Sequence, residues 1–144
     1  MSKSESHLDN SIAIEEKIAS GDDVTSKQIA YLIAEAADDK KAQDIVLLKV
    51  AEVSYLTDYF VVVTGFSKPQ LRAICDSIEQ KVAENLELEP IRIEGKTDGR
   101  WVLIDYGEVI VHVFLPEERE FYNLEAFWGH ADRIDYGVES NLNL

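Results

Sequence analysis

The chain has 144 residues and a mass of 16.3 kDa, a length that suits one domain with room for a core. Apolar residues make up 46%, too many for wholesale disorder, and the single cysteine, Cys75, excludes an intramolecular disulfide framework and a Cys-rich zinc site. The 28 acids outweigh 14 bases to give a net charge of −14, a field that opposes nonspecific phosphate binding and suits a basic protein surface or a bound cation.

The excess charge sits at the ends. Residues 1–23 carry two Lys and six acids and read as a flexible acidic arm, with a short helix expected around Ile12 to Ile18. Residues 117–144 carry two Arg and seven acids, and 131–144 reads as an acidic C-terminal tail. The domain is expected over 24–130. No apolar run approaches the roughly 18–20 residues of a membrane span. The start, MSKSESHLDN, has no apolar segment and the first arginine is Arg72, so neither a secretory signal nor a transit peptide is expected. A bacterial-type cytoplasmic location follows as the expectation, with a trimmed organelle form as the alternative.

Thr25 and Gln28 have capping-box spacing, and Ile29, Leu32, Ile33, Ala36 and Ala37 then recur at helical spacing. Two strands follow, Ile45 to Val50 and Tyr59 to Thr64, both nearly continuous in apolar residues as central strands are. Gly65-Phe66-Ser67 turns into a second helix, with Ser67 as N-cap, Pro69 in the first turn and Gln70 completing a second capping box. Leu71, Ile74, Cys75, Ile78 and Val82 form its inner stripe, which makes Cys75 a core residue. Pro90 precedes a short strand, Ile91 to Glu94. Trp101 to Tyr106 and Val109 to Phe114 then form a hairpin around Gly107. Pro116 opens a last helix, which Phe121, Leu124 and Phe127 or Trp128 would dock. The order α-β-β-α-β-β-β-α predicts an α/β fold with a mixed five-stranded sheet and flanking helices.

Strand alternation sorts the hairpin by face. Val102, Ile104 and Tyr106 fall with Val109, Val111 and Val113 on an apolar face for the helices. Trp101, Leu103 and Asp105 fall with Ile110, His112 and Phe114 on the other. Trp101 is either partly buried packing or a contact anchor of the kind enriched at binding hot spots. His112 is either a structural histidine or a functional one. No serine stands in a nucleophile elbow, and His7, His112 and His130 lack metal-ligand spacing. Gly65-Phe66-Ser67, with Lys68 and Arg72 one helical turn apart, offers an anion site or simply a solvated helix start. The strand-turn-helix is similar to that of nucleotidyltransferases, which carry two acids two residues apart for Mg²⁺. Here the acids, Asp76 and Glu79, are three apart, so the architecture is expected without the chemistry.

Five segments together resemble a known family: KAQDIVLLKV at 41–50, DYFVVVTGFSKPQ at 58–70, IEG at 93–95, GRWVLIDYGEVIVHVF at 99–114 and REFYNLEAFW at 119–128. In this order they are similar to the ribosomal silencing factor family, also called Iojap-like proteins. The resemblance implies a nucleotidyltransferase-like fold without the catalytic acids, and no enzyme activity, cofactor or metal. It implies binding to the large ribosomal subunit at ribosomal protein L-fourteen, blocking of small-subunit joining and repression of translation. Large-subunit assembly is the alternative role, and a metal-dependent nucleotidyltransferase a more remote one. The partner-binding residues expected on this basis are Trp101, Asp105, Glu94, Asp58, His112 and Tyr59, with Asp58 alternatively capping a turn before its strand. Arg119 and Glu125 match the same motif and, six apart on one helix, are expected to pair elsewhere. Neither DNA nor a membrane is an expected partner, little direct RNA contact is expected, and a weak homodimer is allowed.

Overall fold

Tyr59–Thr64 and Val109–Phe114 contain no Asp, Glu, Lys or Arg. Strands of that kind are stable only when both faces are covered. The structure, a computed structural model, describes residues 24–137 and sets these two strands side by side at the centre of a six-stranded sheet. The elements are α1 (Ser26–Asp39), β1 (Gln43–Lys49), β2 (Tyr59–Thr64), α2 (Lys68–Leu86), β3 (Arg92–Glu94), β4 (Trp101–Asp105), β5 (Val109–Phe114), α3 (Pro116–Tyr122), α4 (Leu124–Phe127) and β6 (Asp132–Asp135). The sheet order is β3-β4-β5-β2-β1-β6. Strands β2 and β5 run parallel, and every other neighbouring pair is antiparallel. The expected mixed α/β class is the class found.

Helix α1 starts where the sequence signals it. Gln28 N–H donates to Thr25 Oγ1 at 3.1 Å, and Thr25 N–H donates to Gln28 Oε1 at 2.8 Å. Its buried stripe, Ile29, Ile33, Ala36 and Ala37, joins Leu71, Ile74, Cys75, Ile78 and Val82 of α2 over one face of the sheet. The small alanines leave room for the Ser77 hydroxyl of α2 to donate to the Ala36 carbonyl of α1 at 2.8 Å. Burial pushes the Cys75 thiol up to about 12, so it acts as a small apolar group. At the start of α2, Gln70 N–H donates to Ser67 Oγ, but the Gln70 side chain reaches Phe66 N–H instead of Ser67 N–H. The capping box expected there is therefore open. The Gln70 amide uses its other end to hold the carbonyls of Lys40 and Lys41, which ties α2 to the end of α1.

The opposite face of the sheet carries a second apolar cluster: Val46, Leu48, Val50, Phe60, Val62, Ile110 and Phe114. Three expectations change here. The last helix is two short helices, because Asn123 adopts a left-handed conformation with φ 43° and ends the first. Leu124 and Trp128 dock, whereas Phe121 and Phe127 are 79% and 74% exposed. The sheet has a sixth strand, since Asp132–Asp135 pairs with β1 inside the stretch read as tail. Ordered structure thus continues past residue 130. The arm over 1–23, its short helix and the end of the chain from 138 lie outside the described residues.

Candidate functional site

The registry of β4 and β5 sorts the hairpin as strand alternation requires. Trp101 faces Phe114, Leu103 faces His112 and Asp105 faces Ile110, all on the second face of the sheet. Trp101 is half-buried. Its ring lies 4.4 Å from that of Tyr122 and 5.0 Å from that of Phe114, centroid to centroid. Its indole Nε1–H donates to His112 Nδ1 at 3.0 Å. The packing reading of Trp101 is the one these contacts describe, and the ring remains partly exposed.

Gly95 fixes where that strand begins. It has φ 92°, and a Cβ there would stand 2.0 Å from the Trp101 carbonyl oxygen, so the loop accepts only glycine.

His112 is 6% exposed, and burial lowers its pKa to about 4. The indole N–H fixes the tautomer: Nδ1 accepts, so the neutral ring carries its proton on Nε2. His112 is therefore an uncharged support for Trp101 and not a cation at the surface.

Of the expected acids, Asp105 and Glu94 come together on this face through an arginine that the motif reading missed. Arg92 pairs with Asp105 at 3.3 Å and with Glu94 at 3.3 Å. Asp105 also accepts the Gly107 N–H at 2.7 Å and so closes the hairpin turn. Only the strand register reveals this cluster, since Arg92 sits opposite Asp105 across β3 and β4.

The other two expected residues stand apart. Tyr59 is 4% exposed and belongs to the helix-covered cluster on the opposite face. Burial, then Tyr31 and Asp58, raise its pKa. Asp58 precedes β2 at the end of the sheet away from Trp101. Its backbone N–H donates to the Glu108 carbonyl and its own carbonyl accepts from Val50 N–H.

The elbow between α3 and α4 adds what the sequence reading placed in the core. Phe121 meets Tyr122 edge-on at 4.9 Å, extending the Trp101–Tyr122 stack outward. Glu117, Glu118 and Glu120 line a groove with these two rings. The elbow is held by Arg119, which donates through Nη1 to Thr64 Oγ1 at 2.8 Å and through Nε and Nη2 to the Glu125 carboxylate. The break at Asn123 brings Arg119 and Glu125 to each other, where one continuous helix would have kept them apart. Burial alone would raise the Glu125 carboxyl, but hydrogen bonding and charge from Arg119 bring it below its ordinary value. The spacing of these two charges and the Asn between them was the available sequence signal.

Among the described residues, the acids that follow the β2–α2 turn do not form a metal clamp. Glu79 is paired with Lys96 at 2.9 Å, and no group of three His, Cys, Asp or Glu side chains stands together. No described helix is long and apolar enough to cross a membrane.

The sequence matches the family model for RsfS, described as ribosomal silencing factor during starvation, over residues 23–143. The Bacillus subtilis protein "Ribosomal silencing factor RsfS" is 41% identical over 117 residues, covering 80% of this chain and 98% of the relative. The mouse protein "Mitochondrial assembly of ribosomal large subunit protein 1" is 35% identical over 92 residues, covering 62% of this chain and 40% of the relative. A crystal structure of a Chromobacterium violaceum protein superimposes with a TM-score of 0.70 at 37% identity, over 73% of this chain and 87% of that one. With matched sequence running through every element of the fold, the chain belongs to the ribosomal silencing factor (RsfS) family.

Proposed function

We propose that this protein binds the large ribosomal subunit at ribosomal protein L-fourteen and represses translation by occupying a surface that the small subunit needs. The observation that carries this reading is the continuous aromatic run Trp101–Tyr122–Phe121, bordered by Glu117, Glu118 and Glu120. An apolar anchor with an acidic rim suits a basic ribosomal protein. The names of the Bacillus and mouse relatives, one a silencing factor and one an assembly protein of the large subunit, support a large-subunit partner. Steric occlusion requires position and affinity only, which fits a face without assembled catalytic groups. On the same hairpin face, Glu94 and Asp105 share the single cation Arg92.

Co-sedimentation with purified large subunits and a subunit-joining assay test the proposal. Trp101→Ala and Phe121→Ala should both weaken binding and restore joining. Phe121, being exposed, should do so without loss of fold. Full binding by both variants would remove this face from the contact. The mouse relative favours assembly as a second role; a protein that binds large subunits but leaves joining at its normal rate would be an assembly factor only.

A further inference from the structure

We propose, building on the large-subunit reading above, that the β1–β2 loop is a second protein contact, separate from the aromatic run, and that it takes a basic ribosomal protein whose apolar pocket receives Tyr55 and Leu56. Lys49 pairs with Tyr59 across β1 and β2, so residues 50–58 make the connection. About two to five residues are enough to join an antiparallel pair, so the fold does not need the rest. The loop is nonetheless held to one shape. At its base Val50 N–H donates to the Asp58 carbonyl at 2.8 Å. Thr57 Oγ1 donates to the Gly107 carbonyl and Asp58 N–H to the Glu108 carbonyl, both at 3.0 Å, which pins the loop to the β4–β5 turn. Leu56 N–H donates to Ser54 Oγ at 3.0 Å and shapes the tip.

The side chains that this frame presents are apolar. Tyr55 is fully exposed, Leu56 is 64% exposed and Val53 is 46% exposed. Ile91, 69% exposed, continues the patch across the same turn: a Cβ on Gly107 would stand 3.2 Å from Ile91 Cδ1. Four of the eight large apolar side chains exposed among the described residues thus gather at one end of the sheet, which marks a contact and not scatter. Trp101 stands at the other end. It pairs with Phe114, which pairs with Thr64, and Tyr59–Thr64 spans about 17 Å. Charge selects the occupant. Glu52, Asp58 and Glu108 border the patch, and among the described residues none of them has a cation within salt-bridge distance. Lys49 lines the cleft with Glu52, Val53 and Asp132, and the border stays net acidic. Such a border repels RNA phosphates and anionic lipid, and a second copy of the chain would set these acids against themselves. A basic protein answers both the apolar centre and the acidic rim, and a loop already held in shape has little ordering left to lose on binding.

The test uses the full chain and purified large ribosomal subunits. The double variant Tyr55→Ser/Leu56→Ser should co-sediment with about tenfold lower affinity. Its melting temperature should be unchanged, because both side chains are exposed. E108K should also bind more weakly and flatten the salt dependence. A photo-crosslinker, p-benzoylphenylalanine, placed at position 55 should label a basic ribosomal protein other than the one it labels from position 121. The proposal is overturned if the double variant binds as the parent does, or if position 55 labels rRNA or the same protein as position 121. It is also overturned if the double variant's only loss, in sedimentation equilibrium of the free protein, is a dimer. The parent separates the two readings: a parent that does not co-sediment removes both, whereas a parent that co-sediments and a double variant that matches it remove this one alone.

Discussion

Acid should destabilise this protein through one imidazole. In the unfolded chain His112 takes up a proton near its ordinary value of 6.5, but in the fold burial holds this off until about 4. Between those values the unfolded state binds more protons, so stability is complete above pH 6.5 and falls as pH drops toward 4. Each pH unit in that window is worth about 1.4 kcal/mol, so the contribution lost by pH 4.5 is about 2.5 kcal/mol. The contact geometry agrees with the direction: a second ring proton would sit on Nδ1, facing the indole N–H of Trp101 at 3.0 Å. The perturbation is His112→Gln, which keeps an acceptor but cannot titrate. Urea unfolding of both proteins at pH 7.5, 6.5, 5.5 and 4.5 gives two stability curves. The carboxylates contribute alike to both, so their difference isolates the imidazole. The parent should lose about 2.5 kcal/mol more than the variant across the series. Curves that run parallel within about 0.5 kcal/mol would refute the reasoning, since the imidazole would then titrate alike in both states.

Arg119→Met should cost about 3 kcal/mol in denaturant unfolding, because it leaves the Glu125 carboxylate mostly buried without its cation, and Arg119→Met with Glu125→Leu should cost less than the single change. As the folded Glu125 pKa lies below its unfolded value, the cost of the single change should shrink as pH falls through the carboxylate range. Asn123→Ala should lower stability by about 1 kcal/mol because its φ of 43° suits Asn or Gly, and Asn123→Gly should be close to neutral in the same assay.

The parts of the fold that could be read from sequence are those whose pattern is local. The Thr25–Gln28 box and the two faces of the β4–β5 hairpin need only spacing and alternation, and both stand as read. Tyr59 shows the limit. In a strand apolar on both sides nothing in the sequence says which side faces the helices, so its grouping with Trp101 had no geometric basis until the sheet was assembled. Strand β6 was missed for a related reason. Asp132, Arg133 and Asp135 flank a single Ile134, and an edge strand needs little apolar content because one side of its backbone is open. The Arg92 cluster depends on a cross-strand register that no linear motif encodes. The split of the last helix rests on one residue, Asn123, against an apolar spacing that favoured continuity.

The parallel partnership of β2 with β5 also fixes the order in which this molecule can be completed. Tyr59 has to wait for Val109, so a chain growing from its N-terminus holds α1, β1 and β2 with one side of β2 unpaired until the hairpin arrives. The insertion of β5 between β2 and β4 closes a long loop, and the pairing of β6 with β1 closes a longer one after it. A nascent chain stopped before Val109 would present an open apolar edge, a state in which chaperone capture or self-association competes with folding.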